Sequence, residues 1–325
     1  MLKFDVKTKK LLLALDYDAR LSLPILSKIT GMSQQLVKYH LNKLEKEGVI
    51  RGYRIVLEIG KLGFFAYRVY FQLQQLNPEN ETKLINYFKN HENVLWFVST
   101  QGRFDLEVLI MARNSIHFDQ ILKDMISKWG ICLTQYFISL SVINYHFSKS
   151  YFLNKKRDYI LPPFIGSEPE KEVIDELDYK IISLLSKDAR TPFYQIGKKV
   201  GISYNTVKER VEKLKKKGIV QGYRTWIDTF KLGYKYYKVM ISFQSLSKEL
   251  DKELYSFCLQ ELNVIYFIKC IGEWHYEIDG EFINDEEFRG MLRKLRNHFS
   301  SKLKSFETLL IYDEYKMNYF PMGKI

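Results

Sequence analysis

Two sets of polar side chains stand at matched positions of this sequence and carry the atoms needed to read base edges. Gln34, Gln35, Lys38 and Tyr39 form the first set; Tyr204, Asn205, Lys208 and Glu209, 170 residues further on, form the second. Glutamine and asparagine can pair with adenine in the major groove, and lysine with guanine, so each set could supply sequence-selective contacts to duplex DNA. The second set opens a cationic stretch, Lys208 to Lys217, in which six Lys/Arg, Arg210 and Lys213 among them, outnumber two Glu. Cations there neutralise phosphates and displace counterions, which adds affinity without sequence information. Nothing comparable points to catalysis. No nucleophile–base pair, phosphate-binding glycine loop or metal-ligand spacing is evident, so no enzyme activity, cofactor or metal is expected.

Both sets fall on the third of three predicted helices. Lys7 to Tyr17 carries Leu11, Leu12 and Leu15 at helical spacing, and Leu177 to Leu185 repeats the pattern with Ile181, Ile182 and Leu185. Second helices are expected near Leu23 to Thr30 and Pro192 to Val200, the latter with Thr191 as N-cap and Pro192 in the first turn. Gly31-Met32-Ser33 and Gly201-Ile202-Ser203 then form the turns. Glycine accepts the positive φ that ends a helix, the apolar residue is buried, and Ser33 or Ser203 caps the next helix. The third helices run from Gln34 to Glu47 and Tyr204 to Lys217, with Val37, Leu41 and Leu44, or Val207, Val211 and Leu214, as buried stripes. Two short helices about a glycine turn, the second amphipathic and basic, match a helix-turn-helix.

These coincidences reflect a duplication. Over residues 18–63 against 188–233, 18 of 46 positions are identical without a gap, where unrelated sequence would give roughly three. Asp18-Ala19-Arg20, Gly52-Tyr53-Arg54 and Lys61-Leu62-Gly63 all recur. Beyond them the period becomes two: Tyr67, Val69, Phe71 and Leu73 alternate with Arg68, Tyr70, Gln72 and Gln74, and the second copy follows suit. With helices near Asn80 to Asn90 and Ile116 to Trp129, and strands Val94 to Thr100, Leu106 to Ala112 and Gln135 to His146, this reads β-α-β-β-α-β, a ferredoxin-like pattern. The aromatic-rich sheet face without helices is expected to pair with another sheet, giving self-association.

The expected class is therefore α+β: two winged-type helix-turn-helix domains (1–60 and 173–230) alternating with two ferredoxin-like domains (61–147 and 231–325). Between the copies, 148–172 holds Pro162-Pro163, Gly166 and Pro169 and reads as a linker, the alternative being a segment packed on copy one through Tyr151 and Phe152. The 325 residues suffice for several cores, and 46% apolar content excludes wholesale disorder. A net charge of +12 favours a polyanionic partner. Cys132, Cys258 and Cys270 lack disulfide or zinc spacing and read as buried apolar residues in a reducing cytoplasm. The N-terminal apolar cluster reads as neither signal peptide nor membrane helix.

Asp-Ala-Arg before the second helix, the Gly-x-Ser turn, Val37-Lys38 and Val207-Lys208, Gly-Tyr-Arg and Lys-Leu-Gly together resemble the Lrp/AsnC (feast/famine) family of regulators, over nearly the whole of both copies. That resemblance implies a helix-turn-helix joined by a strand to a ferredoxin-like domain that oligomerises and often binds amino acids. It implies an effector site at the Gly-x-aromatic-Asp turn: Gly102, Phe104 and Asp105 here, and Gly272 and His275 in copy two, where histidine stands at the acidic position. His40 likewise replaces the arginine found as Arg210, which implies a weaker phosphate grip in copy one. One chain supplying both reading helices suggests a covalent pseudo-dimer on an asymmetric pair of half-sites. Two alternatives stand beside it: a siroheme-decarboxylase-like enzyme with the same two-half build, whose histidine candidates are His146 and His275, and a ligand-sensing scaffold that no longer binds DNA.

Overall fold

A computed structural model describes residues 5–74, 77–157 and 172–320. Copy one comprises α1 (Val6–Tyr17), α2 (Leu23–Thr30), α3 (Gln34–Lys46), β1 (Ile50–Leu57), β2 (Phe65–Leu73), α4 (Pro78–Asn90), β3 (Val94–Gln101), β4 (Leu106–Ala112), α5 (Ser115–Trp129) and β5 (Leu133–His146). Copy two repeats the order with α6 (Glu176–Lys187), α7 (Phe193–Val200), α8 (Tyr204–Lys216), β6 (Val220–Ile227), β7 (Lys235–Phe243), α9 (Lys248–Gln260), β8 (Val264–Ile271), β9 (Tyr276–Phe282), α10 (Asp285–Phe299) and β10 (Leu303–Met317). The α+β class expected from the pattern is what the chain adopts.

One local expectation is corrected. Helix α7 starts at Phe193 with Pro192 in the cap position, and the Thr191 hydroxyl donates to the Asp188 carbonyl instead of capping. The ring of Pro192 fixes φ at −61° with ψ at 139°, an extended geometry that ends just before the helix.

Residue alternation on β2 works as the pleat predicts, with Val69 and Phe71 packing under α4 and α5 while Arg68 and Tyr70 face away. The far face is covered within the chain. The two sheets join edge to edge, β5 to β8 and β10 to β3, closing an eight-stranded antiparallel barrel in the order β10-β3-β4-β2-β5-β8-β9-β7. Sheet faces expected to seek another chain therefore line a shared interior, and closure leaves none of these strands with an open edge.

A second union lies above the barrel. β1 and β6 pair antiparallel, Tyr53 opposite Thr225 and Arg54 opposite Arg224, so the strand after each helix-turn-helix hydrogen-bonds to its counterpart in the other copy. Residues 148–157 of the expected linker are largely packed: Tyr151 and Phe152 are buried, and the Arg157 guanidinium is ringed by the carbonyls of Cys258, Leu259, Glu261, Leu262 and Val264. They pack on both copies: Lys149 N donates to Asp16 of α1 at 2.8 Å, while Tyr151 and Phe152 lie against Tyr234. The prolines Pro162, Pro163 and Pro169 lie outside the described residues. Among the described residues no helix is long and apolar enough to cross a membrane.

Candidate nucleic-acid interface

The two reading helices are built alike. Gly31 (φ 67°) and Gly201 (φ 78°) take the left-handed conformation that closes α2 and α7. Ser33 accepts from Leu36 N at 3.2 Å and Ser203 from Thr206 N at 3.1 Å, so both serines cap α3 and α8. Val37, Leu41 and Leu44, and Val207, Val211 and Leu214, are buried on the inner stripes. Outward stand Gln34, Gln35, Lys38 and Tyr39 on α3, and Tyr204, Asn205, Lys208 and Lys213 on α8, all exposed. Of the residues expected to meet DNA, the structure thus presents every one on these two faces except Arg210.

Arg210 is turned inward. Its guanidinium bridges Asp175 at 2.7 Å and Asp178 at 2.9 Å, the acids that start α6, and those bonds hold its pKa above the usual arginine range. The copy-one counterpart His40 makes the neutral version of that tie, Nδ1 to the Thr8 hydroxyl at 3.2 Å, while Asp5 caps α1. This position fastens the third helix to the first. At the position where a difference in phosphate grip is expected, two chemistries perform one fastening.

The motifs that marked the repeat meet one another across the copies. Ala19 N donates to Tyr223 O at 3.0 Å, and Ala189 N to Tyr53 O at 3.1 Å. Arg20 lies 4.3 Å over the Phe193 ring and donates to the carbonyls of Ala189 and Thr191, while Arg190 lies 5.1 Å over Tyr53. The Lys-Leu-Gly motif, which the sequence marked but gave no task, crosses over too. Lys61 Nζ donates to Lys217 O and Lys231 Nζ to Glu47 O, each at 2.6 Å. Each lysine thus caps the carboxyl end of the other copy's reading helix, where cations suit both the bare carbonyls and the helix dipole. Gly48 and Gly218 make room: a Cβ at Gly48 would stand 2.8 Å from Lys231 Nζ. Lysine and glycine recurring together at one offset was the available signal, but only the ribbon shows that they belong to opposite copies.

The candidate effector turns hold the barrel together. Gly102 (φ +140°) lies so close to β10 that a Cβ would meet Leu309 at 2.8 Å, and one at Gly272 would meet the Ile138 carbonyl of β5 at 2.8 Å. Phe104 is fully buried against Tyr70 and Trp274. Asp105 Oδ2 accepts from Leu73 N at 2.7 Å, and His275 Nδ1 accepts from Phe243 N at 3.1 Å. Histidine therefore preserves the backbone bond that the acid makes in copy one. Desolvation lowers its pKa, which keeps that nitrogen an acceptor.

Inside the barrel, Arg68, Glu107, Lys238, Glu277 and Asp279 form a buried ionic network, with Lys238 fully enclosed and 2.8–3.3 Å from all three acids. His146 is equally buried; desolvation and the cations Arg224, Arg68 and Lys149 hold its pKa well below the ordinary imidazole value. All three cysteines are buried and unbridged, and burial pushes the Cys258 and Cys270 thiols up. Among the described residues no group of three or more His, Cys, Asp or Glu side chains is disposed to hold a metal ion.

Fold and interface define a duplicated helix-turn-helix protein whose paired strands hold two cationic helices outward. Comparisons agree with that class. The family model for the AsnC-type helix-turn-helix domain matches residues 174–215, and that for a winged helix-turn-helix DNA-binding domain matches 4–51. A regulator from Pyrococcus horikoshii described as an uncharacterised HTH-type transcriptional regulator is 31% identical over 133 residues, 40% of this chain and 84% of that protein. The HTH-type transcriptional regulator LrpA of the same organism is 55% identical over 62 residues, 19% of this chain; the match spans 44% of LrpA, under half its length. The chain belongs to the Lrp/AsnC family. Its architecture is also that of the crystal structure of the siroheme decarboxylase NirDL, with a TM-score of 0.61 over 97% of this chain and 94% of that one, at 13% identity, a likeness of fold.

Proposed function

We propose that this chain is a sequence-specific DNA-binding transcription regulator that works as a single-chain pseudo-dimer. The observation that carries this reading is the β1–β6 ribbon, which fixes two reading helices to one another and leaves both outer faces exposed. Gln34 and Gln35 on one helix differ from Tyr204 and Asn205 on the other, so the operator is an asymmetric pair of half-sites. Lys38, Lys208 and Lys213 contact phosphate or base edges, and the hydroxyls of Ser33 and Ser203 stand at the helix starts facing the same partner. In this organisation 1–60 and 173–230 read DNA, while 61–147 and 231–325 form the barrel, with 148–172 between them. Any assembly beyond one chain uses the barrel's outer surfaces, since the inner ones cover each other. The reading also includes a cytoplasmic location and control by a small effector, an amino acid or a similar molecule. Its candidate contacts are Gly102, Phe104, Asp105, Gly272 and His275, of which Asp105 offers an exposed carboxylate for an ammonium group.

Selection from random duplex DNA, with and without an amino-acid pool, tests this reading. Unlike half-sites are expected. Perfect palindromes would remove the asymmetry, and no enrichment at low salt would leave a scaffold without DNA binding.

A tetrapyrrole enzyme is the second reading, favoured by one observation: Arg68 and His146 line the same internal cleft. At about 30 Å³ that cleft is an order of magnitude below the several hundred Å³ of ordinary cofactor pockets. A haem-like absorbance in the purified protein would support this reading against the regulator.

A further inference from the structure

Buried ionic groups run from the barrel interior to the underside of the β1–β6 ribbon. Arg68 pairs with Glu107 at 2.7 Å, Lys238 with Asp279 at 2.8 Å, Arg224 with Asp16 at 2.6 Å and Lys149 with Glu281 at 2.5 Å. Glu277 must share Arg68 and Lys238, and Glu314 faces no cation within ion-pair distance among the described residues. All ten residues are buried. Six carboxyl groups thus lie among four closely paired cations, and desolvation raises the pKa of two of them, Glu107 and Glu314. Desolvation raises the pKa of Glu314, and the indole N–H groups of Trp96 and Trp226, which it accepts at 2.5 Å each, oppose that rise.

Beside this network lies the cleft of about 30 Å³, room for one or two water-sized groups. Two features of its wall call for a donor. Asn144 is 1% exposed, and its Oδ1 has no hydrogen-bond partner among the described residues. Asp279 takes the Tyr236 hydroxyl on Oδ2 at 2.9 Å, but its Oδ1 accepts no hydrogen bond beyond its ion pair with Lys238. The rest of the wall is largely aromatic, with Trp96, Tyr236, Tyr266 and Tyr319. Trp96 already has the Arg68 guanidinium 5.6 Å and the Lys238 ammonium 5.8 Å from its ring centroid. Arg68 and His146 also border the cleft; the first is spent on two acids and the second is held neutral by burial.

We propose that this cleft is a binding site for a small primary ammonium ion, with Asn144 Oδ1 and Asp279 Oδ1 as acceptors and the four aromatic rings as its wall. An ammonium group brings three donors and no acceptor, together with a positive charge. Water would satisfy Asn144 but bring no charge to set beside Asp279. The duplication does not repeat the site, because Asn144 corresponds to Glu314 and Asp279 to Leu109 in the other copy. Tyr236, Tyr266 and Tyr319 also wall a second cavity of about 20 Å³ that reaches Arg224 and Trp226 of the ribbon. The occupant therefore lies one aromatic layer beneath the strands that fix the reading helices.

The test uses the full chain without DNA, so its outcome is independent of the regulator reading. Thermal unfolding and tryptophan fluorescence are followed with methylammonium chloride, sodium acetate or sodium chloride at matched ionic strength. Methylammonium is expected to raise Tm by about 3 °C at a hundredfold excess over its Kd and to change the tryptophan emission. Acetate and sodium chloride should do neither. Asn144→Leu, which removes an orphaned acceptor, should weaken the methylammonium response at least tenfold. Asn144→Ser serves the same purpose should the leucine variant fold poorly. An equal response to sodium chloride, no response to methylammonium (a cleft holding water only), or an unchanged response in both variants would overturn the proposal.

Discussion

The sharpest consequence of the interface geometry is that two neighbouring cations on α8 should behave differently. Lys208 is exposed, whereas Arg210 is tied to Asp175 at 2.7 Å and Asp178 at 2.9 Å. A phosphate contact contributes about −0.9 to the slope of log K against log salt. Replacing Lys208 with Gln should therefore flatten the slope by about 0.9. Between 50 and 200 mM salt, a fourfold change, the parent should lose about 3.5-fold more affinity than the variant. Adding Lys38→Gln on the other helix should bring the difference to about 1.8 in slope, or roughly twelvefold over the same range. Arg210→Gln should leave the slope unchanged and instead cost about 1 kcal/mol of fold stability, since it breaks a partly exposed ion pair. Fluorescence anisotropy on a selected duplex across a salt series, with urea unfolding of each variant alongside, measures both quantities. The reasoning fails if Arg210→Gln flattens the slope as much as Lys208→Gln does, or if Lys208→Gln leaves it unaltered.

Two further outcomes test the barrel interior. Lys238→Met leaves Glu107 and Glu277 with Arg68 alone and Asp279 with no ion-pair partner among the described residues, so unfolding free energy should fall by about 3–5 kcal/mol; a loss under about 1 kcal/mol in a urea titration would contradict the network. His146 is held neutral in the fold while the unfolded chain protonates near the ordinary imidazole value of about 6.5, so its contribution is complete above that pH and declines below it. Stability of the parent should therefore drop, relative to His146→Gln, by up to about 1.4 kcal/mol per pH unit below pH 6.5, and parallel pH profiles for the two proteins would exclude a neutral buried imidazole.

Local features were legible without coordinates. The serine caps, the glycine turns, the buried stripes of α3 and α8 and the pleat of β2 depend on residues within a few positions of one another, and periodicity reports those directly. The same local reading did not show that Arg210 is tied to Asp175 and Asp178. A cation on a basic helix looks solvent-directed until α6 is laid beside it. It also left Lys61 and Lys231 without a task, because the carbonyls they cap lie in the opposite copy.

By itself the chain's order of residues determined that one unit occurs twice and that each unit is a helix-turn-helix followed by a β-α-β-β-α-β sheet; short-range sterics and burial periodicity suffice for that. Tertiary structure alone decided how the two units meet: β1 against β6, β5 against β8 and β10 against β3. Edge-to-edge pairing leaves no local pattern, since a strand looks the same whichever edge it joins. For the same reason Arg68, Glu107 and Lys238, on the sheet faces turned away from the helices, became a buried ionic network only when the second sheet closed over them.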